Sequence, residues 1–412
     1  MKGSFRRRGC TCKKKRCTCG SKWTYRYSII DPATGKRKQK ETSGFATKAE
    51  AEQEALRIQS ELQSGVYIEE KSITFSDFIP EFLRLYQQTG KVKKSTLWVR
   101  RIRLNNLKKY FGNIKIKDIS RKIYQDMLLD LKKEGYADET IVSIHSTGKL
   151  LFKKAKELEV IKKDPTEYAR LPSKQKTVEQ LENHSNIPKF LEKEELARFL
   201  HTAKNYARDD MEYPIFITLA YTGLRVGELC ALKWSDVDFY GGKISITKTI
   251  NNANNNANNY MLESPKNGRA RVVTVSKTVL DILERYQRWQ DRNKEKPGYL
   301  NRDFVFARYQ GKYRGYPIFQ RSIAIRMRRL LKASGLNESL TPHSLRHTHT
   351  SLLAEAGVSL EVIMDRLGHK NDNTTKNIYL HVTKPKKLEA VDKFDELMND
   401  VGKMWAEEIN TD

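Results

Sequence analysis

Between Thr341 and Tyr379 the chain reads TPHSLRHTHTSLLAEAGVSLEVIMDRLGHKNDNTTKNIY. Thr341 can cap a helix and Pro342 suits its first position, so His343 and Arg346 fall three residues apart on one face. Gly357 closes that helix, Ser359 caps the next, and Gly368 closes the second just before His369. Tyr379 follows ten residues later, in a segment opened by Asn373 and Thr374. Two imidazoles, a guanidinium and a phenol thus sit near the ends of short, capped elements. Such a set can converge on one small anion, and a DNA phosphate is the candidate.

The whole chain favours that partner. Its 412 residues suffice for two or three domains, each with a core. The net charge is +27 and the isoelectric point about 9.7. That balance points to a polyanion, nucleic acid before an anionic membrane surface. No apolar run approaches membrane-spanning length, and the basic N-terminus lacks the apolar core of a signal peptide, so the expectation is a cytoplasmic protein. A hydrophobic content of 38% with 31% charged residues suits helical domains with solvated faces.

Upstream, residues 191–340 predict a mixed α+β unit. Helices are expected around Lys193–Thr202 and Met211–Tyr221, followed by TGLRVGELCALKW, with Arg225 and Glu228 one turn apart. Ile244 and Ile246 alternate with polar residues as a strand. The Asn and Ala run from Asn251 to Asn259 reads as a loop without chemistry. Tyr260–Ser264 and Arg271–Val275 are further strands, and Asn267-Gly268 between them signals a hairpin that places Lys266 beside a tight turn. Cys230 lies among apolar residues and reads as core.

Residues 72–172 have helical periodicity. Four amphipathic helices are expected: one carrying Phe75, Phe78, Phe82 and Tyr86; one from about Thr96 to Phe111; one carrying Tyr124, Met127 and Leu131; and one capped by Asp138 that ends before Asp164-Pro165. They predict a bundle. Lys91, Lys93, Lys94, Arg100, Arg101, Arg103, Lys108 and Lys109 are assigned to its exposed faces as DNA-backbone contacts. Residues 173–190 are polar and without periodicity, and read as a linker.

The first 70 residues hold a smaller unit. Met1 to Ile30 contains ten Lys or Arg and no acid. Strands around Trp23–Ile29 and the basic run with Lys36, Arg37 and Lys38 predict a small sheet, and Thr47 with Glu50 a capping box for a helix to about Leu62. Such a sheet fits a DNA groove. Cys10, Cys12, Cys17 and Cys19 can form a tetrahedral zinc site. Their one-residue pair spacing is tighter than usual, and a reduced basic tail is the alternative.

Singly, each candidate has an ordinary reading: Arg225 with Glu228 a surface pair, His343 or His369 a cap or core group, Tyr379 packing, Lys266 a turn lysine. As an ordered set they are specific. Residues 191–395 resemble the catalytic domain of the tyrosine recombinase, or phage integrase, family. Arg225 stands in TGLRVGEL, His343 and Arg346 in HSLRH, His369 in LGH, and Tyr379 in NIYLHV. Lys266 matches the family's hairpin lysine and Glu228 its supporting acid. More loosely, residues 71–172 resemble a core-site-binding domain and 1–70 an arm-type DNA-binding domain of integrases from Gram-positive bacteria or their phages.

The resemblance implies a multidomain, mainly α protein with small β-sheets. The order expected is arm domain (1–70), four-helix domain (71–172), linker (173–190), catalytic domain (191–393) and tail helix (394–412). It implies catalysis by Arg225, Lys266, His343, Arg346, His369 and Tyr379, with Glu228 in support and no catalytic cofactor. Partners would be double-stranded DNA at core- and arm-type sites, three further copies of the chain, and a directionality or DNA-bending protein. A type IB-like topoisomerase is the alternative with the same chemistry, and a noncatalytic DNA-binding regulator the alternative without it. The arm-like segment weighs against the first and the complete residue set against the second. Phe394, Leu397, Met398, Val401, Met404 and Trp405 recur at helical spacing, a face for docking in cis or on a neighbour.

Overall fold

The computed structural model describes residues 3–7, 21–30, 35–64, 72–88, 92–172, 189–252, 257–266, 268–369, 373–383, 394–395 and 397–399. Cys10, Cys12, Cys17, Cys19, Lys91 and most of the linker and tail lie outside them. The chain divides into two compact units, Met1–Lys174 and Gln175–Asp412.

The first unit opens with a three-stranded antiparallel sheet in the order β1–β2–β3: β1 Ser4–Arg7, β2 Trp23–Ile30, β3 Arg37–Phe45. β1 has no alternating apolar pattern in its sequence SFRR, which is why only the other two strands are expected from the letters. Helix α1 (Lys48–Gln63) covers one face, burying Ala51, Ala55 and Ile58 beside Tyr25. One half of the expected capping box forms, Glu50 N donating to Thr47 Oγ1 at 3.2 Å; the Glu50 carboxylate reaches one residue past the cap and accepts from Ala46 N at 2.9 Å instead of from Thr47 N.

Four further helices follow: α2 Phe75–Gln88, α3 Lys94–Phe111, α4 Arg121–Lys133 and α5 Asp138–Glu157. Their core joins Phe75, Phe78, Phe82, Leu104, Phe111, Tyr124 and Phe152. Two expectations need correction. Ala137, not Asp138, is the N-cap of α5; Asp138 is its first helical residue and its carboxylate pairs with Lys132. Arg100 and Arg103 do not face solvent freely. They turn onto α5, Arg100 donating to Thr147 Oγ1 at 2.8 Å and Arg103 to Ser143 Oγ at 3.1 Å. Lys94, Arg101, Lys108 and Lys109 are exposed, and Lys93 is half-buried.

The second unit begins with α6 (Lys193–Asn205) and α7 (Glu212–Thr222), the short α8 (Val226–Ala231), and small sheets. The strands are β4 Val237–Asp238, β5 Lys243–Ile246, β6 Thr249–Asn251, β7 Met261–Glu263 and β8 Arg271–Thr274. β4–β5–β8 form one sheet and β6–β7 another, so the turn carrying Lys266 does not join paired strands. The hairpin expectation is therefore corrected: Gly268 N closes a turn on Pro265 O at 2.8 Å, but the chain leaving it enters a different sheet. Asn267 lies outside the described residues. Helices α9 (Lys277–Lys294), α10 (Gln320–Ala333), α11 (Pro342–Glu355), α12 (Leu360–Leu367) and α13 (Asn373–Val382) complete the unit.

A single core runs under α6–α11, with Phe199, Phe216, Leu229, Phe306, Met327 and Leu345 wholly buried, and Cys230 is part of it. Phe394–Asp395 and Leu397–Asn399 are helical and exposed. Among the described residues, no helix is long and apolar enough to cross a membrane, and no cluster of His, Cys, Asp and Glu could hold a metal ion.

Candidate active site

The site grows from two helix ends. Helix α7 stops at Gly223, whose φ of 62° ends the helix in a left-handed cap. The next turn starts at Arg225, the N-cap of α8, where Glu228 Oε2 accepts from Arg225 N at 3.0 Å. The same carboxylate accepts from the Arg225 guanidinium at 2.9 Å and from both terminal nitrogens of Arg271 at 3.0 and 2.7 Å. Glu228 is 2% exposed. Burial pushes its carboxyl up, but the hydrogen bonds and charges of Arg271 and Arg225 outweigh that and lower it to about 2.

The other end is built by α11 and α12. Thr341 N donates to Ser344 Oγ at 3.2 Å with Pro342 in the first turn, so α11 starts where its letters indicate. Gly368, at φ 69°, closes α12, and His369 N donates to Met364 O at 2.9 Å, a Schellman closure that fixes His369 just beyond the helix. Arg346 is 1% exposed yet fully charged. It donates to Gly223 O and Leu367 O, each at 2.6 Å, and to His369 Nε2 at 2.7 Å. The two helix ends therefore meet on one guanidinium. Arg271 ties them a second time, because its Nε donates to Arg366 O at 3.1 Å while its fork holds Glu228.

Tyr379 sits on α13, which packs against α11 and α12. Its ring is half-buried against Ala354, Ile363 and Leu367. Thr375, one turn earlier, has its Oγ1 2.9 Å from His369 Nδ1. His343 is exposed in the first turn of α11, and its ring meets His347 edge-on at 4.7 Å. Lys266 is exposed and, among the described residues, makes no hydrogen bond to this network. Hydrogen bonds thus join Arg225 to Glu228 and Arg346 to His369, and Arg271 links Glu228 to the backbone of α12 at Arg366. His343 lies in the first turn of α11, Tyr379 on α13 against Ala354 of the last turn of α11, and Lys266 on the loop leading into β8.

Residues 189–386 match the phage integrase family, and that match spans both arginines, both histidines, the lysine and the tyrosine. The chain belongs to this family. Residues 13–62 match an arm DNA-binding domain and 74–131 a SAM-like N-terminal domain of phage integrases. The integrase of Staphylococcus phage L54a is 28% identical over 359 residues, covering 83% of this chain and 98% of the relative. The ICEBs1 integrase of Bacillus subtilis is 26% identical, covering 90% and 95%. The fold is that of the Tn1549 transposon integrase solved with a circular intermediate DNA (TM-score 0.62, 22% identity, 78% of this chain and 100% of that one). It is also that of a lambda integrase dimer bound to a core site (TM-score 0.53, 20% identity, 86% and 92%). The protein is a tyrosine recombinase of the phage and mobile-element type.

Within this recombinase, four functional-site neighbours escape a reading of motifs. Arg271 is legible only as a basic residue near Lys266; its place depends on β8 bringing its side chain between Glu228 of α8 and the Arg366 carbonyl of α12. Thr375 precedes Tyr379 by four residues, the one available signal that both share a helix face. His349 and Arg366 support the site from behind: His349 Nδ1 lies 2.9 Å from Ala220 O and its Nε2 accepts from Arg366 Nε at 3.1 Å. A cavity of about 490 Å³, lined by Lys204, Asp209, Tyr213, Arg285, Tyr286 and Trp289, lies at the far end of α7. The eleven residues of α7 separate it from Arg225 by roughly 16 Å at 1.5 Å per residue.

Proposed function

We propose that this recombinase cleaves duplex DNA with Tyr379 as nucleophile and rejoins it to a second strand, so integrating and, with an accessory directionality or DNA-bending protein, excising a mobile element. The observation that carries the reading is the shared frame of Arg225 and Arg346. Arg225 is held through Glu228, Arg346 through Gly223 and Leu367, and Arg271 bridges the two supports. Two cationic forks held before substrate arrives suit the nonbridging oxygens of a phosphodiester, where negative charge accumulates during attack.

The chemistry follows from the groups. A phenol with a pKa near 10 costs about 4 kcal/mol to ionise at pH 7, at roughly 1.36 kcal/mol per unit. A guanidinium brought close to a phenol lowers that cost. The Tyr379 oxygen bonds to phosphorus as the 5′ oxygen leaves, its proton supplied by Lys266, while His343 hydrogen-bonds the phosphate and moves the phenol's proton. His369, whose ring nitrogens face Arg346 and Thr375, holds one edge of the Arg346 fork. The 3′-phosphotyrosyl ester retains the bond energy, so attack by another 5′ hydroxyl reverses the step with neither ATP nor divalent metal. Four protomers on two sites would exchange strands in pairs, in the cytoplasm of a bacterial host. The lambda integrase tetramer on a Holliday junction, with the same fold, supports that arrangement.

The test is a nicked, end-labelled attachment-site duplex. A covalent protein–DNA adduct should form with the native chain and vanish in Tyr379→Phe. No adduct would point to a DNA-binding regulator, and an adduct without pairing of sites to a topoisomerase.

A further inference from the structure

Each ring nitrogen of His369 has a described hydrogen-bond partner, and the chemistry of the two partners fixes its proton. Nε2 lies 2.7 Å from an Arg346 terminal nitrogen, and a guanidinium only donates. Nε2 must therefore present its lone pair, and the ring proton resides on Nδ1. There the hydroxyl of Thr375, at 2.9 Å, accepts it. Thr375 is 3% exposed and rides on α13, the helix that carries Tyr379. The same helix is anchored by Ile378, wholly buried beside it.

From this geometry we propose that Thr375 is a positioning residue, which holds His369 as its Nδ1–H tautomer and makes the orientation of Arg346 depend on the seating of the nucleophile helix. When α13 is seated, Thr375 orients His369, and His369 holds one edge of the Arg346 fork. When α13 withdraws, Nδ1 loses the Thr375 acceptor, and the tautomer is no longer set from that side of the ring. Nucleophile and this edge of the phosphate cradle thus assemble in one event, and a protomer with its tyrosine helix unseated keeps Arg346 on Gly223 O and Leu367 O while its His369 contact is no longer oriented. The logic is that of a base oriented by a third group, transferred here to a hydroxyl on the nucleophile's own helix. The proposal rests on the assignment of Tyr379 as nucleophile and of the arginines as phosphate ligands.

Two variants and one spectrum test it. Thr375→Val removes the acceptor at nearly constant volume, and Thr375→Ser restores it. In single-turnover assays on a nicked site, the valine variant should form adduct at least tenfold more slowly with DNA affinity within twofold of native, and the serine variant should recover most of the rate. Nitrogen-15 spectra of histidine-labelled native full-length protein, with His369 assigned through His369→Asn, should show the Nδ1–H tautomer. Native rates in the valine variant, or a predominantly Nε2–H ring in the native protein, would overturn the assignment. If the valine variant fails to fold, the native spectrum and the serine variant still decide. A native chain that forms no Tyr379-dependent adduct would instead defeat the functional reading, leaving the tautomer measurement to judge Thr375 separately.

Discussion

His349 shows how a residue outside the chemistry can set the conditions under which the site survives. It is 6% exposed, with Nδ1 against Ala220 O and Nε2 accepting from Arg366. Burial, and then the Arg366 charge, lower its pKa from 6.5 to about 4. The folded value lies below the unfolded one, so between these limits the unfolded chain binds a proton that the folded chain excludes. Stability from this group is complete above about pH 6.5 and is lost progressively down to about 4, a span on the order of 3 kcal/mol at roughly 1.36 per unit. Glu228 has the same sign in a lower window, its contribution complete above 4.5 and lost as pH falls through about 2. His145 in the first unit is lowered too, by burial and then Lys149, so a total slope cannot be assigned to one ring. The difference can. The thermal midpoint of the native chain should fall between pH 6.5 and 4.5, and His349→Gln should flatten that fall. Equal slopes in the two proteins would show that His349 does not carry it.

Elements are where the sequence speaks most clearly and where it stops. The caps of α11 and α12 can be read from Thr341, Pro342, Ser359 and Gly368 because capping is local chemistry, settled within four or five residues. The role of Arg271 cannot, because it depends on a strand from one sheet reaching a helix 43 residues earlier. Lys266 illustrates a middle case: its turn is encoded by Gly268, but the pairing of the flanking strands is a tertiary choice, and the two strands join different sheets. Arg225 and Tyr379 are legible as motif positions, whereas the bonds that hold their surroundings are not. Gly223 tests the point. Its φ of 62° requires a left-handed cap, and an added Cβ would lie 2.6 Å from His349 Cδ2 and 2.8 Å from Leu367 Cδ2. Gly335, at φ 66°, has nothing within 4 Å of such an atom. Gly335→Ala should cost only the backbone term, about 1–2 kcal/mol. Gly223→Ala should add an overpacking cost of about 1–3 kcal/mol and displace the carbonyl that accepts from Arg346. Its thermal midpoint should therefore fall further than that of Gly335→Ala, with adduct formation reduced as well. Matching midpoints and rates would mean that the Gly223 turn has slack the distances deny.

Across the whole molecule the dominant quantity is charge. The net +27 is what remains of 77 Lys and Arg once 50 acids are subtracted, and part of the basic total is locally paired: Arg57 with Glu54 and Glu61, and Arg326 and Arg329 with Glu212. What matters for DNA is the basic surface left exposed, and that includes Lys36, Arg37 and Lys38 at the start of β3 and Lys94, Arg101, Lys108 and Lys109 in the helical domain. Each phosphate neutralised releases counterions, so log affinity falls against log salt with a slope near −0.9 per contact. If β3 meets the backbone of arm-type DNA, Arg37→Ser with Lys38→Ser should make that slope shallower by about 1.8. The same double variant should leave the slope for a core-type duplex unchanged, because the helical-domain cations are untouched. Fluorescence anisotropy from about 50 to 300 mM salt, with both duplexes, measures both slopes. A loss shared equally by the two DNAs would mean that the strand acts through general charge rather than at a site of its own. No change on either would remove β3 from the interface.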